Sequence, residues 1–356
     1  MLGTRFDPRR NSLNALRLLL AACVIISHSW IVAGFGYPPA LAGTDLGMFA
    51  VAGFFAISGY LIAGSRLSTP SLTRFLVNRA LRIYPAFLVV LVVTAVVFAP
   101  VSALLGGGAV EWSSAARYVF GNASLHITQW GIDGTLQTAG TPNWNAPLWS
   151  LVFEALCYLG VGVLASVVPR RAFAPASVTL FVALTAGTLL TLSPATPTFA
   201  VNLLAMATFF FAGVVLYILR QRMPLAAPLA LVAASFMVLI TALGLFKPLA
   251  AFPLAYLLLY LSVVLPLRGV GARNDVSYGL YVYGFPVQQL LFLGLNGLFG
   301  STAVPVGVFA VLSLVAALPF AVASWFVVER PALALKSPRG GRVAGPRPAL
   351  APADGL

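Results

Sequence analysis

Long apolar runs recur through this chain and leave it few ways to fold. Windows of about 20 apolar residues, enough to cross a bilayer core about 30 Å thick as a helix, fall at 13–33, 46–64, 83–100, 148–168, 173–192, 199–219, 225–245, 249–267, 277–297 and 304–328. Backbone in lipid must satisfy its own hydrogen bonds, and windows of this length do so as helices. The predicted fold is therefore all-α, a polytopic membrane helix bundle of about ten transmembrane helices. Composition agrees: 60% of the 356 residues are hydrophobic and only 8% charged, against about 25% charged in soluble domains. Such a chain has no room for a large soluble domain. The first run is too long, and lacks the small-residue cleavage site, for a removable signal peptide.

A net charge of +13 would hint at nucleic acid in a soluble protein. Here topology explains it better, because Lys and Arg gather in cytoplasmic loops, and no nucleic-acid partner is expected. With the N-terminus inside, Arg117 and Lys247 are the two of the 21 Lys and Arg that fall outside, and Arg17 lies within the membrane. That split predicts an even number of spans and both termini in the cytoplasm. Residues 1–336 form the integral-membrane domain. Residues 337–356, rich in Pro, Gly, Ala and Arg, are expected to be a disordered basic tail drawn to anionic lipid.

One long external segment, about 101–147, holds Glu111, Trp112, Arg117, His126, Trp130, Asp133 and Trp144. Its tryptophans, with Trp149 just after, read as an interfacial belt or, second, as a stacking platform for a sugar. Asn122-Ala123-Ser124 matches a glycosylation sequon, a weak pattern. Cys23 and Cys157 both lie in apolar spans, make no metal-ligand spacing, and read as core packing. No internal repeat is apparent.

Ionisable side chains inside a span are costly and mark function by default. Arg17 and His28 lie eleven residues apart in the first span, so a helix carries them on one face with a rise of roughly 16 Å. A neutral imidazole can take a proton from a hydroxyl attacking a carbonyl, and a buried guanidinium suits phosphate or a developing oxyanion. Packing and snorkelling are the alternatives. Glu154, in Leu148-Trp149-Ser150-Leu151-Val152-Phe153-Glu154, is an intramembrane carboxylate that needs a partner, with His28 and Arg17 as candidates. Asp45 precedes the second span and reads equally as an N-cap or as a group orienting His28. In Gly53-Phe54-Phe55-Ala56-Ile57-Ser58-Gly59-Tyr60, small residues permit close helix approach; packing outweighs a substrate role for Ser58. Arg79 and Arg82 share a helix face at the inner surface. Topology is their ordinary reading, and a clamp for a phosphorylated cytosolic donor is the functional one. Glu329-Arg330-Pro331 reads as a helix stop with an ion pair.

Taken in order, these segments, with Asn11-Ser12-Leu13-Asn14-Ala15-Leu16-Arg17, Arg79-Ala80-Leu81-Arg82-Ile83-Tyr84-Pro85 and Val276-Ser277-Tyr278-Gly279-Leu280-Tyr281-Val282-Tyr283, resemble the acyltransferase-3 family. Its members are integral-membrane O-acyltransferases. The resemblance covers about 10–335. It implies an acyl-CoA donor, taken as acetyl-CoA, arriving from the cytoplasm, with no permanently bound cofactor or metal. The acceptor it implies is a hydroxyl of an extracytoplasmic saccharide or glycolipid, such as a surface polysaccharide or lipopolysaccharide. The setting would be the inner membrane of a bacterium. The resemblance implies that His28 and Arg17 are essential and that Arg79 and Arg82 help hold the donor; from the residues themselves, Glu154 joins the catalytic set and Ser58 the donor-binding set. Asp45, Trp149 and Tyr283 are candidates for orienting the site or meeting the acceptor. Relatives often carry a His where this chain has Gly284. Acylation of a secondary metabolite such as a macrolide is a competing reading. A lipid-linked saccharide transporter is another, disfavoured because such proteins show internal repeats and broken helices in matching halves.

Overall fold

Each apolar window lands on a helix in the computed structural model, which describes residues 1–8, 10–191, 197–300 and 304–336. In chain order we label them α1 (Leu13–Val32), α2 (Leu46–Leu67), α3 (Leu72–Gly106), α4 (Leu151–Val167), α5 (Arg170–Leu190), α6 (Thr198–Leu219), α7 (Ala227–Ala242), α8 (Ala251–Val264), α9 (Ser277–Phe299) and α10 (Val306–Ala334). Seven of them, with α4 counted from Ala146, are long and apolar enough to cross a membrane. Helices α7 and α8 are shorter, at 16 and 14 residues. The 23-residue α9 is long enough, but tyrosines and glutamines lower its hydropathy. The only strands among the described residues are the two-residue pair Ala40–Leu41 and Thr44–Asp45. The protein is a multi-pass helical membrane protein. The predicted tail, 337–356, lies outside the described residues.

The bundle has two chemically distinct ends. At one, the basic end, the N-terminal segment is stitched to the α6–α7 loop by Leu2 N–H to Met223 O (2.8 Å) and Gly3 N–H to Arg220 O (2.7 Å). Arg66, buried there, donates to Gly162 O, Thr69 O and Ser166 Oγ. At the opposite end the α1–α2 loop turns through Ala42 (φ 45°) and Gly43 (φ 80°), the left-handed pair of a tight hairpin turn. That turn delivers Asp45, whose carboxylate accepts from the N–H groups of Gly47 (2.6 Å) and Met48 (3.0 Å). Asp45 is thus the N-cap of α2.

Helices α2 and α6 cross at backbone contact. A Cβ on Gly59 would overlap the Phe210 carbonyl, and one on Gly213 the Ala56 carbonyl. The packing role expected of the small residues in α2 is met at Gly59. Two helices carry π-turns, at Thr94–Phe98 in α3 and Trp325–Glu329 in α10. Pro100 and Pro331 follow them, and proline's missing N–H leaves the preceding turn free to widen. The second turn seats Glu329, 2% exposed, inside the bundle.

The 101–147 segment is an ordered layer rather than a simple belt. Trp144 is fully buried and donates Nε1–H to Thr135 Oγ1 (3.0 Å), whereas Trp112 is exposed. Asn122 is buried too. Its amide donates to Gln129 O and accepts from the Thr128 and Gln129 N–H groups, so the sequon asparagine is committed to the fold.

Candidate active site

Three helices and a loop bring four charges together at the basic end. Asp275, in the loop before α9, accepts from Arg17 Nη1 of α1 (2.5 Å) and Arg82 Nη2 of α3 (2.7 Å). The other arm of Arg82 reaches Glu329 of α10 (3.3 Å). Asp275 also accepts from the Ser277 hydroxyl and N–H, and Trp325 ties α10 to the neighbouring Asn274 (3.0 Å). Burial works against the ionised carboxyl, but the guanidinium groups of Arg17 and Arg82 outweigh it and hold Asp275 at about 2. The expected ion pair of Glu329 therefore exists, with Arg82 as its partner, but the expected helix stop does not: the helix continues through Arg330–Ala334. The sequence reading passed over Asp275. The available signal was scarcity: only eight Asp and Glu occur in the chain, and this one directly precedes the Val276–Tyr283 motif.

Next to this network lie two adjoining cavities of about 50 and 100 Å³, both lined by Arg17, Phe54, Glu154 and Tyr278. The larger also meets Ser58, Arg79, Arg82 and Tyr158. Glu154 accepts from Ser58 Oγ (3.0 Å) and Tyr158 OH (2.5 Å). Its intramembrane partners are these two hydroxyls, in place of the expected His28 or Arg17. The structure thus gathers Arg17, Ser58, Arg79, Arg82 and Glu154 around one connected space.

His28 stands apart, towards the other end of α1. Its Nδ1 lies 2.8 Å from the Val24 carbonyl, and its ring meets the edge of Phe285 at 5.1 Å. A carbonyl can only accept, so the neutral ring carries its proton on Nδ1 and presents a free lone pair on Nε2. Tyr281, which lines the smaller cavity and is hydrogen-bonded to Ser150 (2.7 Å), sits four residues before Phe285 on α9. The rise between them is about 6 Å, so one helical turn separates His28's neighbour from the cavity wall. Asp45 bonds Ser27 Oγ (3.0 Å), beside His28 in the chain, in addition to its capping bonds.

Two buried glutamines, also overlooked in the sequence, brace this end. Gln288 donates to Ile25 O (2.9 Å) and Ser29 Oγ (3.0 Å), and Gln289 to Thr141 O and Asn143 O. Adjacent amides in an apolar helix were the visible cue. Gly284 lets α9 approach α1: a Cβ there would press on Ile25 at 2.7 Å. Tyr283 is buried and stacked on Phe320 (6.2 Å between centroids), away from both cavities. Trp149 lines a separate open cavity of about 460 Å³ with His126, Trp130 and Phe199.

The sequence of this helical membrane protein, with a half-buried histidine in one span and an arginine-lined cavity at its basic end, places it among the acyltransferases. The family model for an acyltransferase domain matches residues 10–327, and the chain belongs to that family, acyltransferase-3. It is an acyltransferase enzyme. It is 28% identical over 347 residues to an O-acetyl transferase of Shigella phage Sf6, covering 93% of this chain and 98% of that protein. It is 29% identical over 368 residues to nodulation protein 10 of Rhizobium leguminosarum bv. viciae, covering 92% and 94%. No solved structure matches the chain.

Proposed function

We propose that the protein moves an acetyl group from cytoplasmic acetyl-CoA to a hydroxyl of a saccharide at the opposite membrane face, in the inner membrane of a bacterium. The observation that carries this reading is the His28 ring, pinned at Nδ1 by Val24 with Nε2 left as a base, on the helix whose other end supplies Arg17 to the cavity wall. The basic end faces the cytoplasm by the positive-inside rule. The donor enters there, and its thioester reaches His28 past the Ser150–Tyr281 contact. Arg17 positions the donor, while Arg79, Arg82 and Ser58 line its path. Glu154 accepts from amide N–H groups of the pantetheine arm.

As the acceptor oxygen attacks the thioester carbonyl carbon, Nε2 of His28 takes the hydroxyl proton. The adduct then collapses, the C–S bond breaks, and the leaving thiolate recovers that proton. Transfer is direct, with no covalent enzyme intermediate. The open aromatic cavity of Trp130, Trp149 and His126 lies at the acceptor's end, and aromatic faces suit sugar rings. The name of the phage relative, O-acetyl transferase, supports acetyl as the group.

Sealed membrane vesicles test the reading. Given labelled acetyl-CoA, inverted vesicles should place label on envelope saccharide and right-side-out vesicles should not. Labelling confined to right-side-out vesicles would overturn the donor side. Absence of saccharide label from both would overturn the acceptor class.

A further inference from the structure

The donor's nucleotide is too large for the space around Arg17. The two central cavities, about 50 and 100 Å³, fall below the roughly 300–1,000 Å³ of sites that hold small organic ligands. Arg17 and Arg82 are moreover already matched by Asp275 and Glu329, so little of their charge remains for phosphates. A third cavity, of about 450 Å³, opens at the basic end between the N-terminal segment, α2 and α6. Leu61 lines both it and the larger central cavity, so the two meet at that side chain.

The walls of this cavity have a definite chemistry. Phe6, Tyr60 and Tyr217 form a run of edge contacts, at 5.1 Å between the first two rings and 5.4 Å between the last two. Arg220 lies over the Tyr217 ring at 4.0 Å and donates to the Tyr217 carbonyl (2.6 Å). Among the described residues no carboxylate pairs with Arg220. Gly64 keeps the ring in place: a Cβ there would meet Tyr217 at 2.8 Å. An aromatic surface beside a stacked guanidinium with no carboxylate partner suits a purine base bearing phosphates. The cavity of similar size at the opposite end has no arginine in its lining.

We propose that this cavity binds the phosphorylated nucleotide end of the acyl-CoA donor, with Arg220 on a phosphate and Tyr217 and Tyr60 against the base, while the pantetheine arm passes Leu61 towards Arg17 and Glu154. The assignment rests on the acyl-CoA reading above.

A donor lacking the nucleotide separates the two ideas. In detergent-purified full-length protein, Arg220→Ala and Tyr217→Ala should each raise KM for acetyl-CoA about tenfold, the equivalent of one charge-assisted contact. Both should leave kcat unchanged, and both should match wild type with S-acetylpantetheine, which keeps the thioester and loses the nucleotide. Adenosine 3′,5′-bisphosphate should compete with acetyl-CoA on wild type and compete poorly on Arg220→Ala. Wild-type KM for acetyl-CoA in both variants would overturn the site. So would an equal loss with both donors, which marks a structural role, or an effect seen only when anionic lipid is added, which marks a lipid headgroup as the occupant. If wild type uses neither donor, the acyl-CoA reading itself fails and takes this assignment with it.

Discussion

The two ends of the bundle solve the problem of buried polarity differently. At the basic end, Arg17, Arg82, Asp275 and Glu329 form a chain of ion pairs across α1, α3, α10 and the loop before α9. At the other end, His28, Ser29, Gln288 and Gln289 use neutral hydrogen bonds, mostly to backbone carbonyls. Charged partners fix four elements in one register beside the central cavities. Neutral partners hold the imidazole by its Nδ1 and leave Nε2 to act as a base in the proposed reaction. On the proposed mechanism, one end orders the substrate and the other performs the proton transfer.

The comparison breaks first if Asp275 is dispensable. Asp275→Ala strands the Arg17 guanidinium and leaves Arg82 with Glu329 alone, and removing one partner of a buried pair costs about 3–5 kcal/mol. Fluorescence-detected size exclusion should show much less intact protein, with Asp275→Asn intermediate. A fully stable Asp275→Ala would mean the ion-pair chain is not what holds these elements. A smaller effect is expected at the neutral end. Gln288→Leu loses two hydrogen bonds but also removes a carbonyl oxygen, Oε1, that is buried without a partner. The net cost should be about 1 kcal/mol, read as a small drop in melting temperature, with acetyl-CoA affinity unchanged. Reduced donor affinity would show that the ends are not separable.

Smallest is the pH effect of Asp275. A carboxyl held at about 2, below its ordinary 3.8, contributes stability that is fully present above the ordinary value and lost as pH falls through about 2. Melting temperature between pH 5 and 8 should therefore be the same, relative to wild type, in Asp275→Asn as at neutral pH. A difference that shrinks towards pH 5 would show that Asp275 titrates far higher than its two arginines imply.

Much of this was legible in the sequence, for physical reasons that also mark its limits. Helix positions follow from hydropathy, since lipid leaves the backbone no alternative. Arg17, His28 and Glu154 stood out because a charge-capable group is rare in such a span. Their partners were less visible. Asp275 is close to Arg17 and Arg82 only because three helices converge, and Ser58 and Tyr158 satisfy Glu154 through hydroxyls that look unremarkable in an apolar run. The burial of Trp144 and Asn122 depended on the external segment folding into a layer, which its glycines and polar residues did not announce.

The central claim is that His28 acts on the proton while the basic end holds the donor. It is tested most directly by measuring turnover and acetyl-CoA affinity on the same detergent preparation of His28→Ala. The account predicts a fall in kcat of about 10²–10⁴, the usual loss for acid–base catalysis, with donor affinity and the amount of folded protein unchanged. Near-normal turnover in His28→Ala would contradict it and make the histidine a packing residue held by Val24 and Phe285.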